Sequence, residues 1–258
     1  MASPMLISPE QIMQEKDDLA RKGIRLGREV VALEYEHGFV LVAENASSTL
    51  HKISEIYDRI AFAGVGNYQE YNPLRTAGIE QAEVKGYTYS REDVTARWLA
   101  NLYSQAIGNV WRQFDTKPLE IELLIAEVGE PGYSSNGLYR ISYNGQLQDD
   151  RGLSVIGGRA DEIRTWLEER FEEALPLDRC VRLAVEALDA VEDDGESDSE
   201  SLTSGRLEVA VLDESRGRRK FCQIPRDAIA KLLNESSEEP RCQRPVRLGL
   251  SCAAAIFS

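Results

Sequence analysis

Residues 119–129, LEIELLIAEVG, set the strongest limit on the fold. Apolar residues occupy both faces of this segment when it is extended, so a strand built from it has no side suited to water. Such a strand needs a layer packed on each face. The sequence therefore predicts a sheet buried between other elements.

Most other strand-like segments are arranged as hairpins. Residues 30–45, VVALEYEHGFVLVAEN, are two β-rich runs joined at His37-Gly38, where glycine tolerates the positive φ of a tight turn. Residues 138–150 alternate around Asn144-Gly145, a pair typical of type I′ turns. These hairpins predict largely antiparallel sheets. The other predicted strands are 56–66, 154–158 and a final pair, 206–215 and 218–225, which turns near Gly217.

Six segments show helical periodicity. The first begins after Ser8, an N-cap residue followed by Pro9, and its apolar stripe is thin. Residues 91–113 carry a broad apolar stripe behind Ser90 as the N-cap. Pairs of helices separate groups of strands without regular βαβ alternation, so we expect an α+β fold, a two-sheet sandwich flanked by helices. The remaining predicted helices are 73–85, ended by Gly86, and 160–175, 177–191 and 226–234.

Composition excludes several classes of function. Thirty basic and forty-four acidic residues give a net charge of −14, which would repel a nucleic-acid backbone. There is no stretch of about 18 apolar residues that could span a membrane, and residues 1–23 lack the features of a signal peptide. We expect a cytoplasmic protein. Two histidines and four scattered cysteines offer no zinc-binding spacing, so no metal site is predicted.

The chain divides into three predicted regions. Residues 1–8 form an arm without apolar periodicity, and residues 9–234 form one domain. Residues 192–201 are a strongly acidic insertion in that domain and are expected to be a flexible loop. Residues 235–258 lose every period and are expected to be a disordered tail.

Common catalytic motifs are missing from the sequence. It contains no GxSxG, HExxH or GxxxxGK[ST] motif, and GVGN at 64–67 is a lone GxG that fits strand-to-helix packing better than phosphate binding. Ser47, Ser48 and Thr49 precede His51, which suggests a nucleophile and its base. A polar loop explains them better, because the sequence places no buried acid nearby to orient the imidazole.

Several segments together resemble the proteasome subunit family, and in detail its actinobacterial α subunits. The resemblance covers about residues 8–234 and implies the four-layer αββα sandwich of amino-terminal-nucleophile (Ntn) hydrolases, with an N-terminal helix. The segments are SPEQ at 8–11, DDLARKGI at 17–24, VVALEYEHGFVLVAEN at 30–45, LHKISEIYDRIAF at 50–62 and GYTYSREDVTARWLAN at 86–101.

The resemblance implies that this chain lacks the nucleophile of the family. In the proteolytic β subunits, a threonine freed by self-cleavage follows the glycine that aligns with Gly27, and its hydroxyl attacks while its amine takes the proton. Here Arg28 occupies that position, and residues 1–27 precede it. Glu44 takes the place of the supporting aspartate, and Lys52 aligns near the supporting lysine. We therefore expect a noncatalytic subunit without catalytic residues.

The resemblance also implies an assembly. In this family, α subunits close into a homo-heptameric ring through head-to-tail contacts, and such rings cap paired β rings as α7β7β7α7. A pocket lysine between neighbours pairs with the C-terminal carboxylate of a hexameric ring ATPase. The substrates in this branch are unfolded proteins or proteins tagged with Pup, a small ubiquitin-like protein. No cofactor is implied.

Three sets of residues carry these roles by resemblance. The docking pocket for the ATPase C-terminus contains Lys52 and Gly27. The arms that gate the pore contain Met1, Ala2, Ser3, Pro4, Met5, Leu6, Ile7 and Ser8. The helix that packs on a neighbouring subunit contains Pro9, Ile12, Met13, Leu19 and Ala20.

Two other functions remain open. One is a self-processing hydrolase of the same fold with its own nucleophile, which would cleave itself to expose a Ser, Thr or Cys. The other is a ring-forming scaffold unrelated to proteolysis.

Overall fold

Strand β5 (Ile121–Glu127) lies at the centre of a five-stranded sheet in the computed structural model of the chain. The structure describes residues 8–47, 49–129, 135–190 and 204–234. A second five-stranded sheet packs against the first, and every strand pair in both sheets is antiparallel. Sheet I has the order β10 (Phe221–Ile224), β9 (Leu207–Asp213), β2 (Gly38–Glu44), β1 (Val30–Tyr35), β8 (Leu153–Ile156). Sheet II has the order β3 (Ile53–Tyr57), β4 (Ile60–Gly66), β5 (Ile121–Glu127), β6 (Gly137–Ile141), β7 (Leu147–Asp150).

The predicted hairpins form where turn chemistry allows them. Gly38 and Gly145 have φ values of +143° and +83°, which a residue with a Cβ adopts only with strain. They close the β1–β2 and β6–β7 hairpins, and the β9–β10 pair also forms. One prediction was wrong, because residues 56–66 are not a single strand. The chain reverses at Asp58-Arg59, so that β3 and β4 pair with each other.

Burial of both faces produces four layers. The inner faces of the two sheets meet in an apolar layer that includes Leu41, Ala63 and Leu124. On the outer face of sheet I lie α4 (Ala160–Glu168), α5 (Leu177–Ala190) and α6 (Arg226–Asn234), and on the outer face of sheet II lie α2 (Tyr68–Thr88) and α3 (Ala96–Arg112). The α+β, αββα sandwich predicted from the sequence is therefore confirmed.

Helix α2 is longer than predicted. It starts at Tyr68 behind the N-cap Asn67 and continues through Pro73, which lies on its exposed side. It also continues past Gly86, which was expected to end it. A Cβ on Gly86 would lie 2.1 Å from the hydroxyl of Tyr57, so this glycine lets the helix pack closely on β3.

Two other helices are shorter than predicted. The segment 91–113 divides into a 3-10 turn, Arg91–Asp93, capped by Ser90, and α3, capped by Thr95. The carboxylate of Glu127 accepts the backbone N–H of Ala96 at 2.7 Å, so α3 begins where this buried acid lies. Helix α4 ends at Glu168 rather than at Leu175.

Helix α1 (Pro9–Arg25) crosses the ends of β4 and β5. The Ser8 hydroxyl accepts the N–H of Gln11, whose side chain accepts the N–H of Ser8, which completes a capping box. Lys16 is buried, and its ammonium donates to the carbonyls of Trp111 and Gln113 at the end of α3. A cation there complements the negative end of the helix dipole.

Parts of the predicted domain organisation lie outside the described residues. These are residues 1–7 of the arm, the acidic insertion 192–201 and the tail 235–258. No helix in the described part of the chain is long and apolar enough to cross a membrane.

The contact between α1 and α3 predicts a stability effect. Lys16→Met keeps most of the buried stem but removes the donors to two carbonyls, so we expect the free energy of unfolding to fall by about 2 kcal/mol. Urea denaturation of the purified chain measures this change. Lys22→Met, an exposed lysine on the same helix, is the matched control and should leave it nearly unchanged. Equal effects of the two variants would contradict a bonding role for Lys16.

Candidate functional site

The residues aligned with a catalytic centre meet at one end of the sandwich. Arg28 lies two residues before β1, Glu44 ends β2 and Lys52 directly precedes β3. The Lys52 ammonium donates to the Arg28 carbonyl at 2.7 Å, and the Arg28 guanidinium lies 3.4 Å from the Glu44 carboxylate. The structure thus brings together three residues that are up to 24 positions apart in the sequence.

Arg28 gives this centre its chemical character. Its guanidinium stays protonated in proteins and is a poor nucleophile. The backbone nitrogen of Arg28 is part of a peptide bond rather than a free amine, because helix α1 precedes Arg28 in the chain. Glu44 is buried and ion-paired to two guanidinium groups, those of Arg28 and Arg206, the second at 2.9 Å. The site therefore presents fixed charge rather than an attacking group.

Lys52 is half-buried between several charged groups. Burial lowers its pKa to about 8, although the carboxylates of Glu29, Glu44 and Glu208 oppose this shift; the Arg28 cation adds to it. The ammonium therefore remains mostly protonated at neutral pH. It has three donors, and the Arg28 carbonyl is its one hydrogen-bond acceptor within the described residues.

Each of these carboxylates is already held by other groups. Glu29 pairs with Arg159 through both oxygens, at 3.1 Å each, and also accepts the Arg159 backbone N–H. Glu208 accepts hydrogen bonds from backbone and side-chain donors around Lys52. Neither Glu29 nor Glu208 was among the predicted site residues. Their roles depend on contacts with residues far away in the sequence.

Ser47 and Thr49, which precede His51, bond within their own loop. The Ser47 hydroxyl accepts the backbone N–H groups of Thr49 and Leu50, while Ser48 lies outside the described residues. The sequence places no acid next to His51, but the fold does, because Glu208 is buried and lies 3.3 Å from the His51 ring. No hydrogen bond joins His51 to a hydroxyl among the described residues, so this part of the site shows no nucleophile-base pair.

Gly27 fits tightly beside the site. A Cβ at this position would lie 2.8 Å from the backbone nitrogen of Gly66 and 2.9 Å from a methyl group of Val65. The turn from α1 into β1 therefore needs glycine in order to pack on the end of β4. Next to it Leu26 is 83% exposed, and Leu50, close to Lys52 in the chain, is 46% exposed. Two exposed leucines thus lie within two positions of Gly27 and Lys52 in the sequence.

The predicted contact residues of α1 lie in different environments. Pro9 and Leu19 are exposed, and Ile12 and Met13 are half-buried. Ala20 has no exposed surface and packs within the chain's own core. Its side chain therefore anchors α1 to its own sheets. No cluster of three or more His, Cys, Asp or Glu side chains suited to a metal ion occurs among the described residues.

Comparisons with known proteins agree with one another. The sequence profile described as "Proteasome subunit" matches residues 24–212. A protein named "Proteasome subunit alpha" from Acidothermus cellulolyticus is 45% identical over 237 residues, covering 92% of this chain and 100% of the relative. Proteins of the same name from Kineococcus radiotolerans and Thermobifida fusca are 47% and 45% identical, covering 90% and 92% of this chain and 98% and 92% of their own lengths.

Proposed function

Because this chain belongs to the proteasome subunit family and is an α subunit of the 20S core particle, we propose that it is a noncatalytic ring-forming subunit that gates substrate entry and docks a ring ATPase. The ring would be a homo-heptamer in the cytoplasm, stacked on β rings as α7β7β7α7. The hexameric ATPase would deliver unfolded or Pup-tagged proteins. The catalytic chemistry would belong to the β subunits.

The geometry around Arg28 supports the noncatalytic assignment. The hydroxyl and free amine required by an N-terminal threonine mechanism are replaced by a guanidinium and a peptide nitrogen. Two guanidinium groups also neutralise Glu44. Lys52 and Glu44 are therefore supporting groups without an attacking group.

The first test concerns activity. Purified alone, the chain should keep its unprocessed mass and should not hydrolyse fluorogenic peptides. Co-expression with a β subunit should yield a stacked four-ring particle that does hydrolyse them, as seen by electron microscopy and peptidase assay.

Each alternative makes a different prediction in this test. A self-processing hydrolase would lose mass and show a new N-terminal Ser, Thr or Cys, and a threonine-directed epoxyketone would label this chain covalently. A scaffold unrelated to proteolysis would form no four-ring particle with a β subunit.

The observation that carries the docking proposal is the environment of Lys52. A half-buried ammonium whose three donors have one acceptor among the described residues suits a terminal carboxylate. A hydrogen bond to a charged group contributes about 1.5–3 kcal/mol. Several such contacts around one ring add up by multivalency, so weak individual pockets are sufficient for stable docking.

The second test removes this ammonium. Lys52→Ala should leave the four-ring particle intact and raise the ATPase concentration needed for half-maximal stimulation of degradation about tenfold or more, from the loss of the charged contact. Lys231→Ala, at an exposed lysine on α6, is the matched control and should behave like wild type. Unchanged stimulation of the Lys52 variant would exclude this pocket as the docking site.

The apolar residues of α1 that keep accessible surface are the proposed contact with the neighbouring subunit. Pro9 and Leu19 are exposed and Ile12 and Met13 are half-buried, whereas Ala20 is buried in its own subunit. Seven copies of α1 arranged around the ring would direct their N-terminal arms toward the axis.

The third test concerns these arms, which include residues 1–7 outside the described part of the chain. Deleting residues 2–7 keeps Ser8 and therefore the capping box of α1. We expect this deletion to raise peptide hydrolysis by the assembled particle without ATPase, because an obstruction of the pore is removed. Replacing residues 2–7 by glycine and serine, at constant length, separates length from sequence. Basal hydrolysis equal to wild type in the deletion variant would show that the arms are not the gate.

A further inference from the structure

Glu208 is a buried carboxylate at the same end of the sandwich as Lys52. One of its oxygens accepts the backbone N–H of Lys52 at 3.0 Å and the side-chain amide of Asn45 at 2.6 Å. The other accepts the backbone N–H of Ile53 at 3.2 Å and the side-chain amide of Gln223 at 3.3 Å. Each oxygen of the Glu208 carboxylate therefore accepts two hydrogen bonds, as an ionised carboxylate can.

These donors come from both sheets. Glu208 belongs to β9 in sheet I, whereas Lys52 and Ile53 lead into β3, the edge strand of sheet II. One side chain thus joins the start of β3 to the opposite sheet, 155 residues away from Ile53 in the sequence. Two N–H groups in succession point at this carboxylate, so it fixes the direction of the backbone at the residue that carries the ammonium.

We propose that Glu208 is the positioning residue of the docking pocket, holding Lys52 where a partner's terminal carboxylate can reach it. This inference rests on the docking function proposed above. It assigns a role to a residue that does not itself touch the partner.

Glu208 also acts on Lys52 through its charge. The charged groups near the ammonium are Glu29 and Glu44, each paired with arginine, the Arg28 guanidinium, and Glu208. Glu208 itself lies 3.3 Å from the His51 ring, and its charge acts on the phenol of Tyr71. Its negative charge favours the protonated form of Lys52 and opposes the effect of burial on the pKa. A neutral side chain at this position should therefore lower the pKa of Lys52 below about 8.

Glu208→Gln tests both effects in the assembled core particle. An amide keeps one acceptor oxygen and replaces the other by an NH2 donor, so one of the two N–H bonds that hold Lys52 and Ile53 is lost. We expect the concentration of the cognate ring ATPase for half-maximal stimulation to rise about tenfold or more. The matched control is Glu214→Gln, the same change at an exposed residue just beyond the other end of β9.

A second measurement separates positioning from general loss of structure. Trace acetylation of Lys52 by acetic anhydride, followed by mass spectrometry across pH, reports the fraction of free amine. Half-maximal reactivity should occur at about pH 8 in the wild type and at a lower pH, by roughly half a unit or more, in Glu208→Gln. Repeating the series in a His51→Gln background removes the titration of the neighbouring imidazole.

The outcomes distinguish this inference from the function on which it rests. Wild-type docking and an unchanged acetylation profile in Glu208→Gln would overturn the inference. If Lys52→Ala docks normally, the docking function fails, and the acetylation profile still decides whether Glu208 acts on Lys52. If Glu208→Gln does not assemble, Glu208→Asp keeps the charge but withdraws the oxygens. It should weaken docking with a nearly unchanged profile, and tight docking would overturn the inference.

Discussion

The apolar layer between the two sheets determines where the functional groups lie. Each sheet buries one face on the other and one face on helices, so polar side chains are excluded from most of the strand length and collect at the strand ends. Glu44 ends a strand of sheet I, whereas Arg28 and Lys52 lie just before strands of sheet I and sheet II. The site therefore forms where strands of the two sheets begin or end. The positions of its side chains depend on hydrogen bonds that join one sheet to the other.

Local chemistry explains which parts of the fold the sequence predicted. The β1–β2 and β6–β7 hairpins carry glycines with positive φ at their turns, a signal that is visible in a few residues. The β3–β4 turn at Asp58-Arg59 has no such signal. It is stabilised by the buried pair of Arg59 with Glu127, 68 residues away. The same acid sets the start of α3, which explains why that helix begins later than its periodicity indicated.

The candidate site likewise contains residues that the sequence indicated and residues that only long-range contacts bring into place. Family resemblance indicated Arg28, Glu44 and Lys52, and the structure brings them together. It gave no indication of Glu208 or of the pair between Glu29 and Arg159, because these residues act across 130 to 156 positions of sequence. A glutamate in an apolar strand, such as Glu208 in RLEVAVLD, is normally predicted to face solvent. Only the packing of the two sheets shows that it is buried.

The arrangement of charge around Lys52 supports the docking role proposed for this site. An ammonium at this depth would lose its proton more readily if it stood alone, since burial lowers its pKa. The nearby carboxylates oppose that loss, but each is held by arginine or by N–H donors of its own. They therefore support the charge of Lys52 without forming a hydrogen bond to its ammonium, within the described residues. In the docking proposal, the carboxylate of another protein forms the contact that the chain's own acids do not form.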